Sequence, residues 1–430
     1  MKRQLVWIAF TALATMAHAQ DWPQYMGPNH DGHSTQKNIR KNWAEKGPEV
    51  VWSTNLGIGY GGPVVKNGKV YLLDRNDEEG DIMRCYDLNT GKENWNFAYS
   101  APGEVQFPGS RSVPVVDDAH VYSCGPYGDL YCFDVHTAQP VWNKNVWKDF
   151  GGEKIPTWAI SQCPVLYKDL LIIASQAPQA GVVAYDKNTG EVKWKTPALG
   201  PVGYVSPTII NLHGQPQVVM TTASDRSGDK GHIVGLDPDS GKMLWDYDQW
   251  ECGIPVATAS DAGDNKILVV GGYQRGATML KINKEGDNFS VAELFTTVEF
   301  GDQTKQPVLV DGYFYAQYTT NNRRDGLVCM DMEGNLKWKT RRAPLFNRGS
   351  IIYADGVLLA TDGAKSLFMI QPDGTEYKEL GKTELLVEQE ESKDQLIASF
   401  GTQNWAPMAL ADGYLLMRDQ THMICVKIAD

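Results

Sequence analysis

Hydrophobic and polar positions along this chain recur with a long period. One phrase is an apolar strand ending in Asp, a glycine turn, and a second strand ending in Trp. It stands at Asp87-Leu-Asn-Thr-Gly91-Lys-Glu-Asn-Trp95, at Asp186-Lys-Asn-Thr-Gly190-Glu-Val-Lys-Trp194 and at Asp237-Pro-Asp-Ser-Gly241-Lys-Met-Leu-Trp245. Asp331 to Trp338 is one residue shorter, and Asp134 to Trp142 carries Ala138 where the others carry glycine. Asn283 to Val291 and Gln371 to Tyr377 have lost the Trp. A second phrase precedes each copy: Pro, a short apolar run, a polar turn and a β-rich strand. Pro63 to Tyr71, Pro307 to Tyr315 and Pro407 to Leu416 show it, with Asn-Gly or Asp-Gly at the turn. Those dipeptides supply the positive φ of a two-residue hairpin, and their β-branched and aromatic flanks supply strands.

Units start at Pro63, Pro114, Pro164, Pro207, Pro255, Pro307, Ser350 and Pro407, a mean spacing of about 49 residues. No segment sustains a helical period. The spacing predicts an all-β fold, an eight-bladed β-propeller of four-stranded blades. The last unit stops after its third strand, Met423 to Ile428, and the missing fourth strand with its Trp stands at Glu49 to Trp52. An N-terminal strand completing the C-terminal blade would close the ring without an open edge.

The ends set the domain limits. Lys2 and Arg3, the apolar run Leu5 to Met16 and Ala17-His18-Ala19 have the form of an export signal. The run is too short for a permanent membrane anchor. The expected organisation is a signal peptide at 1–19, an N-terminal strap at 20–47 lying across the ring, and the propeller at 48–430. The expected location is periplasmic or secreted, with no transmembrane segment, and the expected state is a monomer. The acidic insert from Glu388 to Lys393 reads as a solvated loop.

Net charge is −12 with both signs interspersed, which argues against nucleic acid or an anionic membrane as the main partner. Seven cysteines are present. Cys85, Cys132, Cys329 and Cys425 share one place in four repeats, where other repeats have Ala184 or Gly235. A position taking Cys, Ala or Gly is a tight core site, so these read as buried thiols. Cys124 could meet the strand of Cys132 across a hairpin. No Cys-x-x-Cys or adjacent Cys-Cys exists, so no zinc or dithiol site is predicted.

The phrase Ala184-Tyr-Asp-Lys-Asn-Thr-Gly-Glu-Val-Lys-Trp194 is similar to the PQQ-type propeller repeat. The resemblance covers about residues 48 to 430. It implies one of two settings. In quinoprotein alcohol dehydrogenases, eight blades hold pyrroloquinoline quinone and calcium; in cofactor-free propellers, such as the lipoprotein subunit of the outer-membrane assembly machine, they serve binding. Asp21-Trp-Pro-Gln-Tyr-Met-Gly-Pro28 also looks like the start of exported PQQ-like proteins. The repeat motif is structural: its Trp wedges between blades, its Gly turns the chain and its Asp bonds local backbone. It speaks to fold and not to activity.

Chemistry belongs on the face shared by the loops leading into each first strand and the loops joining second to third strands. The lead-in loops carry Tyr60, Arg111, Trp158, Gln162, Tyr204, Lys305, Gln306, Arg348, Gln403, Asn404 and Trp405. The other set carries Arg75, Arg226, Arg275, Arg323 and Arg418. Arginine clamps carboxylates, Trp stacks on flat rings or sugar faces, and amides fix hydroxyls. The candidate ligand-binding residues are Tyr60, Arg75, Arg111, Trp158, Gln162, Arg226, Arg275, Lys305, Arg348, Asn404 and Trp405. No catalytic residue and no metal ligand is assigned. The competing account is that the arginines pair with Asp74, Asp225, Asp325 and Asp419 and tie loops together.

A small anionic or carbohydrate-like ligand, or an envelope protein, is the expected partner. The leading function is a ligand-binding or protein-interaction module without catalysis and without a cofactor. One alternative is a PQQ- and calcium-dependent oxidoreductase of alcohols or sugars. It would draw on Glu251 and Asn404 for calcium and Asp302 as base, but it lacks the adjacent cysteines that the resemblance implies. The other is a carbohydrate-active enzyme using the central channel. Gly57-Ile-Gly59-Tyr-Gly-Gly62 fits a dinucleotide pattern, yet a strand follows it, so it reads as a lead-in loop. His30 with His33, and Asp74 to Asp81, read as solvated segments rather than metal sites.

Overall fold

The hairpin dipeptides do what their chemistry demands. Asn67 with Gly68, Asp311 with Gly312 and Asp412 with Gly413 all take positive φ, from 48° to 81°, the twist that brings two strands together. Each such turn folds a short first strand onto a longer second, as Val64 onto Tyr71 and Lys66 onto Lys69. The computed structural model describes residues 20–43, 47–225, 228–320, 323–387 and 401–429. These residues form eight sheets, one per blade; the four strands of each blade pair antiparallel, and in blades 1 to 7 they follow chain order from the inside out. Blades 1 to 7 span 64–100, 115–145, 165–195, 208–250, 260–297, 308–339 and 351–384. Apart from one 3-10 turn at Lys148–Phe150, the described residues hold no helix. None is long and apolar enough to cross a membrane.

Blade 8 takes its inner three strands from 409–427 and its outer strand from Glu49–Asn55, which pairs with His422–Lys427. The two chain ends therefore share one sheet. Blade 5 starts its first strand at Ser260 rather than at Pro255. The residues before it stay in the lead-in loop, where the Pro255 carbonyl accepts Tyr204 N–H at 2.9 Å.

The repeat motif acts between blades. Trp52, Trp142, Trp194 and Trp338 each donate the indole N–H to a main-chain carbonyl in the outer turn of the following blade, at Leu88, Lys187, Pro238 and Asp373. A Cβ added at Gly91, Gly190 or Gly241 would stand 2.4–2.7 Å from the indole of the preceding blade. Glycine is needed there for the positive φ and for the ring lying against it. The motif Asp caps the turn from below, as Asp87 Oδ1 does for the N–H groups of Asn89 and Thr90. Trp245 differs: it turns inward and bonds Gln217 at 2.6 Å in its own blade. Blade 5 lacks the Asp-to-Gly turn it would dock on, and Phe295 of blade 5 instead covers Gly334 of blade 6.

Apolar clusters fill the spaces between neighbouring blades, each drawing on two or three of them. All seven cysteines are buried free thiols. Cys85, Cys132, Cys329 and Cys425 sit across strands from Trp95, Trp142, Trp338 and Trp52. Cys124 lies opposite Leu130, not Cys132.

Residues 20–43 cross the face opposite the lead-in loops. Trp22 bridges Val65 of blade 1, Pro23 accepts Val116 N–H of blade 2, and His33–Ser34 adds a parallel strand to blade 7. Ile39 bridges Ala429 beside blade 8. Trp22, Ile39 and Trp43 are buried, each contributing about 1.5–3 kcal/mol through the apolar surface it hides. The crossing segment closes the central channel on that side.

Candidate ligand well

The lead-in loops converge because glycine lets their backbones touch. A Cβ at Gly57 would meet the Arg75 carbonyl at 2.0 Å, and one at Gly62 the Pro407 carbonyl at 2.4 Å. The glycine run that mimics a dinucleotide motif is thus a packing device between blades 8, 1 and 2. What remains at the axis is a well of about 320 Å³.

One wall is a triangle of rings. Tyr60, Phe107 and Trp405 have centroids 5.7–6.3 Å apart, and the Tyr60 hydroxyl donates to Gln403 Oε1 at 2.8 Å. Trp158 and Tyr204, 5.4 Å apart, form another part of the lining. Tyr25 lines the well from the strap, and Gln306 Nε2 donates to the His30 carbonyl of the same strap.

Three cations project among these rings. The Arg348 guanidinium lies 4.9 Å from the Trp405 ring and donates to Gln303 Oε1 and Asn347 Oδ1. Arg111 donates to the carbonyls of Gln106, Phe107 and Gly109. Lys305 Nζ donates to the carbonyls of Trp405 (2.7 Å) and Arg348 (3.0 Å). Burial pushes all three pKa values down, Arg111 to about 10 and Lys305 to about 8, the latter partly opposed by Asp302. At those values Arg111 and Lys305 keep their charge at neutral pH. Asp302 is buried behind the lining and accepts the main-chain N–H groups of Thr304, Lys305 and Gln317. Its burial raises its carboxyl above the ordinary range despite Lys305 and those donors.

Of the residues singled out in the sequence, Tyr60, Arg111, Trp158, Lys305, Arg348 and Trp405 line this one well. Gln162 and Asn404 do not. Gln162 is buried between loops on Gly203 and Ser161, and Asn404 on Ala364 and Val387. Arg75 is drawn away by Asp77 and Asp81, with 2.7 Å to Asp81. Arg275 stacks 4.5 Å over Trp250. Arg226 lies outside the described residues. The loop-tying account fits Arg75, and it fits Arg323 on Asp325. Asp74, by contrast, serves Arg84 and Gly57 N–H rather than Arg75.

Tyr25, Phe107, Tyr273 and Gln303 are among the lining residues that had not been singled out. Phe107 and Gln303 sit in the very loops read as lead-in segments, so position alone marked them. Tyr25 carried no signal beyond the aromatic opening of the strap.

The arrangement suits a flat anion: rings to stack on, guanidinium forks for carboxylates, and a largely apolar wall that strengthens both. The calcium donors named from the sequence do not assemble. Glu251 is exposed and absent from the lining, Asp302 is committed to main-chain N–H groups, Asn404 spends its Nδ2 on main-chain carbonyls and leaves only its Oδ1 without a hydrogen-bond partner, and among the described residues no three His, Cys, Asp or Glu side chains cluster as metal ligands.

Comparison with known proteins follows the same lines. The family described as outer membrane protein assembly factor BamB matches in three overlapping stretches, 42–177, 78–320 and 160–373. A quinoprotein ethanol dehydrogenase of Pseudomonas aeruginosa is 26% identical over 218 residues, 44% of this chain and 34% of that protein. Outer membrane protein assembly factor BamB of Yersinia pestis is 24% identical over 214 residues, 46% of this chain and 47% of that one. The match thus spans a third to a half of these curated relatives. Among solved structures, a europium-containing methanol dehydrogenase superposes with a TM-score of 0.64 at 13% identity, covering 93% of this chain and 89% of the other. That likeness is one of fold.

Proposed function

The chain belongs to the family described as outer membrane protein assembly factor BamB, and on that premise we propose that it is an exported, non-catalytic propeller whose central well captures a small organic anion with a flat ring or a sugar face. The observation that carries this reading is the gathering of Arg111, Lys305 and Arg348 among Tyr60, Phe107, Trp158 and Trp405 in one well, in a chain of net charge −12. A bound carboxylate would meet guanidinium and ammonium groups already stripped of water, and its ring would lie on aromatic faces. An envelope protein, in keeping with the relative named as an assembly factor, would use the rim or the loop face.

A second reading, an oxidoreductase using pyrroloquinoline quinone, is favoured by the same lining and by the quinoprotein relatives. The residues suit the flat polyanionic quinone: Arg111, Arg348 and Lys305 would hold its carboxylates and Trp405 its ring. The quinone would accept electrons from an alcohol. The calcium donors described above do not fit, so no step is routed through that ion.

Calorimetric melting separates the two. Aromatic carboxylates, uronic acids and the quinone are each added with and without calcium. A ligand at a hundred times its Kd should add about 2.7 kcal/mol. The binding reading expects a calcium-independent rise that vanishes in an Arg111→Ala, Arg348→Ala double variant. A rise seen only with quinone and calcium together moves the oxidoreductase reading first. No rise with any compound removes the well as the functional site.

A further inference from the structure

A main-chain nitrogen at the start of the strap faces a carboxylate. Gln20 N lies 2.6 Å from Asp412 Oδ1, and the Gln20 side-chain amide donates to Thr35 Oγ1 at 2.8 Å. Asp412 stands at φ 48° in the turn between the first two strands of blade 8. Its neighbour Gly413 donates its N–H to Gln36 of the strap at 2.8 Å. The next residues of the strap bind the other side of the closure seam. Asp21 accepts Asn67 N–H at 2.8 Å and sits 2.9 Å from Lys66 Nζ, while Trp22 exchanges main-chain bonds with Val65, all in blade 1. Residues 20–22 therefore staple blade 8 to blade 1.

A peptide N–H opposite a carboxylate makes a hydrogen bond with charge on the acceptor alone. An α-ammonium in the same place puts a full positive charge there too and adds an ion pair to the hydrogen bond. Immediately before Gln20 stand Ala17-His18-Ala19, the small-x-small form a leader peptidase requires. We propose that Gln20 is the mature amino terminus and that Asp412 is the acceptor for its α-ammonium group, so that leader removal completes the staple across the seam. The step is a hydrolysis. Under a leader peptidase of the export route, water adds across the Ala19–Gln20 amide. Ala19 departs as a carboxylate, and Gln20 N takes up the proton and becomes an ammonium. The inference rests on the export reading above, and it adds where the cut falls and what the new terminus does.

The test uses the full chain produced in an export-competent host, beside two folded forms, one starting at Gln20 and one retaining Ala19 ahead of it. Asp412→Asn is made in both. Asn tolerates the left-handed turn, so the variant folds. Mass spectrometry of the exported protein should find an uncyclised Gln20 start. An opposite charge holds an amine in its protonated form, so amine labelling at pH 7 should be slower in the Gln20 form than in its Asp412→Asn variant. The expected ratio is about tenfold for each unit by which the pKa has risen. The Asp412→Asn substitution should lower Tm in the Gln20 form and leave the form that retains Ala19 nearly unchanged. An exported chain cut at another bond overturns the inference while leaving export intact, and an uncut chain overturns both. A pyroglutamyl start overturns it too, because cyclisation expels ammonia and leaves a neutral lactam. Equal sensitivity of the two forms to Asp412→Asn does the same.

Discussion

Trp52 donates its indole N–H to the carbonyl of Leu88 at 2.7 Å, joining the strand that completes the last blade to the outer turn of the first. The same indole lies where a side chain on Gly91 would have to go: a Cβ there would stand 2.5 Å from the ring. The bond that recurs around the ring of blades thus also closes it. Trp52→Phe keeps most of the apolar contact but leaves a buried carbonyl unpaired, and should cost about 1–2 kcal/mol. Trp52→Ala should cost about 3–5 kcal/mol. Gly91→Ala meets both the indole and an unfavourable φ of 68°, and should fall between them. Urea midpoints of the three variants check the order.

Asp302 bonds three main-chain N–H groups, two through Oδ1 and one through Oδ2. This is the work of a loop anchor. Asp302→Asn preserves the Oδ1 contacts but turns an amide N–H2 towards Gln317 N–H, donor against donor. A loss of about 1–3 kcal/mol in stability is expected, with the well's ligand bound more weakly through the displaced Lys305 loop. A variant as stable as the parent would show that the carboxylate is not holding the loop.

Arg348 and Arg75 test where binding resides, since both are buried yet only one faces the well. Arg348→Ala should weaken an aromatic carboxylate by about tenfold or more, the loss of a charge-assisted contact of about 1.5–3 kcal/mol. Arg75→Ala leaves Asp81 buried without its partner and should destabilise the fold by about 3–5 kcal/mol, with little change in ligand affinity where the protein stays folded. Isothermal titration with benzoate-type probes, beside thermal melts, separates the two effects.

The architecture was legible because each blade repeats the same local chemistry. Asn-Gly and Asp-Gly turns, the capping Asp and the docking Trp all act within a few residues or between consecutive units, so the period carried the fold. The ring closure was legible for the same reason, as a missing strand at one end and a spare strand at the other. The site was legible only in part. Tyr60, Arg111, Trp158, Lys305, Arg348 and Trp405 share a well because their loops point inward. Nothing local distinguished them from Gln162, Asn404 or Arg75, whose partners come from other blades or from across a hairpin. Tyr25 reaches the well only because the strap crosses the ring, a long-range relation that no repeat encodes.

Lys305 makes the well sensitive to mildly alkaline pH. Burial lowers its pKa to about 8, below the ordinary lysine value of about 10.4. With the folded value depressed, the unfolded chain binds more protons between those two limits. Lys305's own contribution to the stability of the unliganded protein therefore grows as pH climbs from about 8 towards about 10, against the opposite contribution of the buried thiols, whose pKa values burial raises. Anion binding should move the opposite way, because loss of the Lys305 proton removes one of three positive charges while Arg111, at about 10, keeps its own. Affinity for a carboxylate should be flat from pH 6 to about 7.5 and fall above it. Bound anion favours the ammonium form, so the fall begins at higher pH in the complex than in the free protein. In Lys305→Met the fall in affinity should disappear and binding at pH 7 should be weaker from the start. Titration calorimetry across this range decides the matter: an unchanged slope in the Met variant would assign the pH dependence to another group.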